Sequence, residues 1–194
     1  MSTAFRTVLV ILLLTPFIAK AQPHPYGCHY FRQARGPLTY TQAARNQIEE
    51  TIARSDPFDI LHYDIHLDLT SILPENFKGF TTVSFRALMA DQDRIRFDLY
   101  QLVVDSVVDV NGPVAYTYDG DFLRVELTDA PAIGEEREVT VYYHGAPHRD
   151  PEWGGFYHEN GYMYNLGIGL STIPPNFGKV WYPCFDSFVE RATY

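Results

Sequence analysis

Between residues 61 and 69 apolar and polar side chains alternate strictly. Leu61, Tyr63, Ile65, Leu67 and Leu69 occupy one phase, and His62, Asp64, His66 and Asp68 the other. Only a β-strand, whose successive side chains point to opposite faces, turns that pattern into one apolar face and one wet face. A helix over the same residues would scatter the apolar set around its circumference. The alternation therefore requires a sheet with one buried side, the usual situation of antiparallel sheets. Similar runs at 80–88, 94–99, 103–110, 115–118, 122–127 and 138–143 read as further strands, and 162–166 as a less regular one. Asn111-Gly112-Pro113 reads as a turn and Asp119-Gly120-Asp121 as a hairpin tip. The chain's 14 Tyr and 13 Phe add strand-favouring aromatic bulk. Short strands at regular spacing with antiparallel turn signals predict an all-β fold, an antiparallel β-sandwich.

The segments before the first strand have a different character. Residues 1–21 read as a signal peptide. Arg6 supplies the positive start, and 8–18 is an apolar run too short for a stable membrane span. Ala19-Lys20-Ala21 is a small-x-small cleavage site. This predicts export to the periplasm, cell surface or medium, Gln22 as the mature N-terminus, and no stable membrane insertion. Residues 22–55 form a lead-in. Within it, 41–54 lacks Gly and Pro and spaces Ala44, Ile48 and Ile52 four apart. That narrow stripe predicts a short helix, either docked on the main domain or partly mobile. Ser55-Asp56-Pro57 ends it, and the main domain runs over 56–194.

Export permits disulfides, and Cys28 and Cys184 either bridge or remain two packed thiols. Fifteen basic against 24 acidic residues give a net charge of −9; loss of Arg6 and Lys20 with the leader takes it near −11. Such a balance opposes non-specific binding to nucleic acid or anionic lipid, so no nucleic-acid partner is expected.

The candidate chemical groups are sparse. His62 and His66 share a strand face but lie roughly 13 Å apart at about 3.3 Å per residue, too far for one metal ion. His144 and His148 have the H-x3-H spacing of zinc hydrolases, yet Gly145 and Pro147 break any helix that could carry them. With His158 they could at most form a small metal-binding loop. No G-x-S-x-G elbow occurs, and Cys184, between Pro183 and Phe185, sits in apolar company that suppresses a thiolate. Gly167-Ile168-Gly169 lacks the third glycine and the following helix of a phosphate cradle. Trp153, Tyr157, Tyr162, Tyr164 and Trp181 could line a sugar-binding platform; in a sandwich the same residues equally form core or an interface.

The end of the chain carries a resemblance. Lys179, then Tyr182-Pro183-Cys184-Phe185-Asp186, then Arg191-Ala192-Thr193-Tyr194 resemble the basic residue, aromatic-Pro-Cys-Phe-Asp-Glu-Pro motif and Lys-Ala-Thr-aromatic strand start of M1-family zinc aminopeptidases of the aminopeptidase N type. Ser187 and Phe188 depart from Glu-Pro. The first strand, Lys78-Gly79-Phe80 with the strand it opens, the pair 94–98 and 103–110, Val141-Tyr142-Tyr143-His144-Gly145 and Trp153-Gly154-Gly155-Phe156-Tyr157 follow the family's order. The resemblance covers 56–194.

It implies a saddle-like β-sandwich, the family's N-terminal β-domain, truncated before a thermolysin-like catalytic domain that would be its partner. Zinc, held by H-E-x-x-H and a distant Glu, and a peptide substrate are implied only for the full-length enzyme. Neither that motif nor the amine-holding G-x-M-E-N occurs here. No catalytic, cofactor-binding or metal residue and no cofactor is therefore expected in this chain. Its role would be to support the catalytic domain and wall the substrate cleft. The run 162–186 is the expected contact surface, centred on Trp181, Tyr182, Pro183, Cys184, Phe185 and Asp186. The reading from another class is a free-standing secreted β-sandwich module that binds glycan or protein.

Overall fold

The computed structural model describes residues 41–70, 76–170, 176–187 and 191–194. The expected signal peptide and Cys28 lie outside these residues.

The alternation in the sequence becomes strand β1 (Phe58–Asp68), but with a change of phase. Phe58 and Ile60 are buried, the register slips between Ile60 and His62, and the next buried residue is Tyr63. A β-bulge of this kind inserts one residue and flips the faces beyond it. Leu61, expected in the core, is consequently only half-buried, while Ile65, Leu67 and Leu69 pack partly against the core.

Strand β1 pairs antiparallel with β2 (Phe77–Ala87), which starts earlier than the alternation suggested. The chain continues through β3 (Arg94–Asp98), β4 (Val103–Asp109), β5 (Gly112–Pro113), β6 (Tyr116–Tyr118), β7 (Phe122–Glu126) and β8 (Glu136–Gly145). These form a five-stranded sheet of order β1-β2-β8-β4-β5 and a three-stranded sheet of order β3-β7-β6. Their inner faces share one core. Val83, Phe85, Val107, Val139 and Val141 come from the larger sheet, and Ile95, Phe97, Leu123 and Val125 from the smaller. Burying aliphatic and aromatic side chains at this density contributes about 1.5–3 kcal/mol each. This is the antiparallel β-sandwich that the strand spacing predicts.

A third, two-stranded unit joins β9 (Gly154–Glu159) to β10 (Tyr162–Gly169). The region holding β9 reads in the sequence as loop. Its turn, Asn160-Gly161, has φ values of +53° and +79°, the left-handed pair that closes a tight hairpin. Residues 178–180 form a single 3-10 turn.

Helix α1 (Gln42–Ala53) occupies the expected place, and Ser55-Asp56-Pro57 ends it before β1 begins. Its attachment differs from the apolar stripe that the sequence suggested, since Ile52 is exposed. The contacts are polar and lie near its C-terminal end. Arg96 Nη2 on β3 donates to Glu50 O at 3.4 Å, and Arg54, just past the helix, forms an ion pair with Asp98 at the end of β3.

Gly79 sits opposite Leu67 and Tyr143 in neighbouring strands. A Cβ there would lie 2.6 Å from His66 O and 2.7 Å from Leu67 Cδ2. The first contact is with backbone and cannot be relieved by rotating a side chain. Gly79→Ala is expected to push β1 away from β2 and to destabilise the domain by about 1–3 kcal/mol, the usual cost of overpacking. The midpoint of urea unfolding reads this directly.

Candidate functional site

Residues 176–187, which carry the family-like motif, are irregular, so their backbone groups need partners beyond a ladder of their own. They find them on both sheets. Asp98 N–H donates to Cys184 O at 2.8 Å and Cys184 N–H to Asp98 O at 3.0 Å, a single antiparallel bridge off the end of β3. Phe185 N–H donates to the Tyr63 hydroxyl at 2.9 Å, on β1. Asp186 N–H donates to Asp98 Oδ2 at 2.8 Å, and Tyr100 N–H to Lys179 O at 2.7 Å. Because β1 and β3 belong to different sheets, the segment is a strap across one end of the sandwich.

The six residues singled out as an interdomain surface are thus mostly core. Tyr182, Pro183, Cys184 and Phe185 are buried, and only Trp181 and Asp186 are half-buried. Their aromatic rings face inward because the strap's hydrogen bonds hold the backbone flat against the sheet ends. Phe185 meets Phe97 with ring centroids 5.8 Å apart, and Tyr182 meets Tyr63 edge-on at 5.6 Å.

A buried charge cluster underlies the strap. Arg54 and Asp98 are paired with side chains only 6% and 7% exposed, and the Arg54 guanidinium lies 4.8 Å from the centre of the Phe185 ring. The Asp186 carboxylate accepts the N–H groups of Gly178 and Lys179, both at 3.3 Å, at the start of the 3-10 turn. Burial pushes its pKa up to about 6, against the pull of Lys179. Burial, with Asp186 and Asp98 nearby, also drives the Cys184 thiol well above its ordinary value. It is a free, protonated thiol that serves packing and not nucleophilic attack.

Residues 191–194 join the same end of the fold. Tyr63 N–H donates to Thr193 O at 2.9 Å and Thr193 N–H to Leu61 O at 3.1 Å, one parallel bridge beside β1. The expected strand start is therefore laid along the edge of the large sheet. Tyr194 stacks on Tyr63 at 5.5 Å, and its hydroxyl lies 3.2 Å from that of Tyr182.

The histidines singled out as metal ligands are separated. His144 belongs to β8, with Nδ1 2.8 Å from Asp105 Oδ1. His148 meets the rings of Tyr100 and Phe177, and burial lowers its pKa. His158 lies on β9. Among the described residues no group of His, Cys, Asp or Glu is placed to hold a metal ion, so the side chains present do not fit a zinc site. No helix among them is long and apolar enough to cross a membrane.

The sugar platform is not assembled either. Tyr157 and Tyr164 stack at 5.1 Å with Arg149 over Tyr157, whereas Trp181 sits apart beside Phe156 and Tyr182. Six exposed apolar side chains, Trp153, Tyr162, Met163, Tyr164, Ile168 and Leu170, lie instead on or beside the β9–β10 hairpin. Arg54, Asp98 and the Tyr63 hydroxyl carry the strap, yet sequence reasoning missed all three. Their partners lie 44 to 122 residues away, and no local pattern marks them.

Arg54→Met should cost about 3–5 kcal/mol, because it leaves the Asp98 carboxylate buried without its cation. Adding Asp98→Asn should recover part of that loss in a denaturation experiment. Asp186 makes a signed pH prediction. Its folded pKa of about 6 stands above the ordinary 3.8, so its protonation favours the fold. That contribution is complete below the lower value and is lost as pH rises through about 6. Melting temperatures measured across this window should fall with rising pH more steeply in the native chain than in Asp186→Asn.

No family model matches the chain, and no curated protein matches it. Solved structures do. The M1 zinc metallopeptidase from Deinococcus radiodurans aligns over 70% of this chain at 22% identity with a TM-score of 0.57. A mutant of that enzyme bound to a Tyr-Ser-Ala substrate aligns over the same share at 23% identity with a TM-score of 0.58. Yeast LTA4 hydrolase in complex with bestatin aligns over 79% of this chain at 14% identity with a TM-score of 0.55. The chain spans only 31% of the length of the first of these structures and 26% of the last. It has the fold of part of an M1 zinc metallopeptidase.

Proposed function

We propose that this chain is the non-catalytic N-terminal β-domain of an exported M1-type zinc aminopeptidase. In that protein it supports a downstream catalytic domain and walls the cleft in which peptides lose their N-terminal residues. The observation that carries the proposal is the fold shared with M1 metallopeptidases over about a third of their length. The order of the motifs from β1 to the strap supports it. Zinc belongs to the downstream domain in this reading, and no catalytic step is assigned to a residue of this chain.

With the strap largely buried, this reading gives the contact with that domain to the β9–β10 hairpin. Trp153, Ile168 and Leu170 expose apolar side chains at the base of the β9–β10 hairpin. A surface of this kind, unlike scattered single residues, suits a polypeptide neighbour.

Two measurements test the reading. The purified chain should release no chromogenic amine from aminoacyl substrates, with or without added zinc; release abolished by a chelator would overturn the non-catalytic role. The coding sequence beyond Tyr194 should continue in frame to an H-E-x-x-H motif. A stop codon there in the native transcript would refute the parent enzyme.

A further inference from the structure

The large sheet has two faces, and only one meets the core. Side chains in the other phase of β1, β2, β8 and β4 are exposed or half-buried throughout, so nothing among the described residues covers that outer face. It is acidic. Asp59, Asp64, Asp68, Asp105, Glu136 and Glu138 stand on it against Lys78 and Arg86, a balance of −4 within a chain total of −9. At one end Arg86 pairs with Asp59 and Glu136. The surplus lies towards the other end, where Lys78 is set against Asp68 in the next strand and Asp64 and Asp105 carry the excess.

Apolar rings lie among these charges. His66, Phe80 and Tyr142 are neighbours across β1, β2 and β8. The His66 and Phe80 rings stack at 4.4 Å with 15° between their planes, and Phe80 meets Tyr142 at 5.5 Å. Stacking at close to the strand spacing of about 4.8 Å means that the rings stand upright, with their faces looking across the strands. The row ends at Tyr142, because the residue opposite it on β4 is Ser106. A hydroxymethyl group leaves most of that ring face uncovered, and Tyr142 is 40% exposed. Asp105 is the extra residue of a β-bulge in β4, which turns its carboxylate out of the ladder and onto His144 Nδ1 at 2.8 Å. A carboxylate held by one imidazole keeps lone pairs for another donor. Tyr142 and Asp105 border the same concavity of about 450 Å³, together with His66, Asp68, Lys78 and Phe80.

An open aromatic face beside a carboxylate attracts a planar cation, through the ring quadrupole and through charge-assisted hydrogen bonds. We propose that this face docks a basic segment of a partner polypeptide, seating an arginine side chain against Tyr142 with its guanidinium donating to Asp105. Arginine suits the slot better than lysine, because a planar guanidinium stacks and donates at once. The surplus carboxylates then draw in the basic residues that flank it, and repel acidic partners. This surface uses neither the strap nor the β9–β10 hairpin, so the inference does not depend on the enzyme proposed above.

NMR titration of the purified chain with synthetic hexa-arginine at low salt tests it. Resonances of Tyr142, Ser106 and His144 should shift, and hexa-lysine should bind more weakly. Tyr142→Ala changes no charge and should weaken hexa-arginine binding roughly fivefold. Ser106→Leu fills the slot, again without a change of charge, and should act likewise; it decides alone if Tyr142→Ala loses the native circular dichroism spectrum. Asp105→Asn should weaken binding more than Asp121→Asn, which removes an exposed carboxylate at the β6–β7 turn. A chain that does not bind hexa-arginine overturns the proposal. So does binding that Tyr142→Ala and Ser106→Leu leave unchanged and that Asp105→Asn and Asp121→Asn weaken equally, since that marks general charge attraction. Shifts at the same residues from neutral cellohexaose but not from hexa-arginine would make the surface a sugar site and overturn it as well.

Discussion

The strap's backbone bonds to Asp98 and Tyr63 hold the two sheets in one relation. A sandwich joined by side-chain packing alone is permissive, because many apolar registers bury similar area. The smaller sheet here has three strands, one of only three residues, and is marginal in isolation. The reciprocal Asp98–Cys184 bridge and the Phe185–Tyr63 bond tie that sheet to β1 at a fixed position. The Arg54–Asp98 pair then seats the end of α1 on the same spot. A buried ion pair contributes little net stability, since desolvation offsets much of the attraction. Its value here is geometric. Asp98 accepts from Arg54 and from the Asp186 backbone at once, so the helix end, the small sheet and the strap converge on one carboxylate.

How much of this was legible in the sequence depends on the range of the interaction concerned. Side-chain alternation is local, and it located β1, β2, β4, β7 and β8 to within a few residues. It misjudged Leu61 because a bulge changes the phase without leaving a mark in composition. It missed β9, where Gly154 and Gly155 interrupt any alternation, although the Asn160-Gly161 dipeptide was itself a hairpin signal. The helix was readable from propensity and breakers, but its attachment was not. Arg54 finds its carboxylate 44 residues later, and an arginine after a helix looks like any solvated charge. Asp98 shares its strand phase with Arg94 and Arg96, so it reads as a wet position. It is buried only because the strap and α1 close over it.

The aromatic residues show the same division between local pattern and distant partner. A cluster of Trp, Tyr and Phe in an irregular segment invites interpretation as a binding surface. Trp153, Tyr162 and Tyr164 are indeed exposed, whereas Tyr182 and Phe185 are not. Composition is equally aromatic in both places. What separates them is where the backbone hydrogen bonds go: the strap's donors reach into both sheets and carry the rings inward, while the hairpin's two strands bond to each other and leave Tyr162 and Tyr164 in water.

That difference bears on what the family-like motif means. Cys184 contributes its backbone to the bridge with Asp98, and its thiol is held protonated by burial. Phe185 supplies the N–H that meets Tyr63 and the ring under Arg54. Asp186 anchors the 3-10 turn. Cys184, Phe185 and Asp186 thus each have a task inside this domain. Their likeness to a peptidase family is accounted for by the fold they hold together. Peptide hydrolysis requires a different set of groups, a polarising ion and a base positioned on it, and such chemistry has to be argued from those groups and not from the strap.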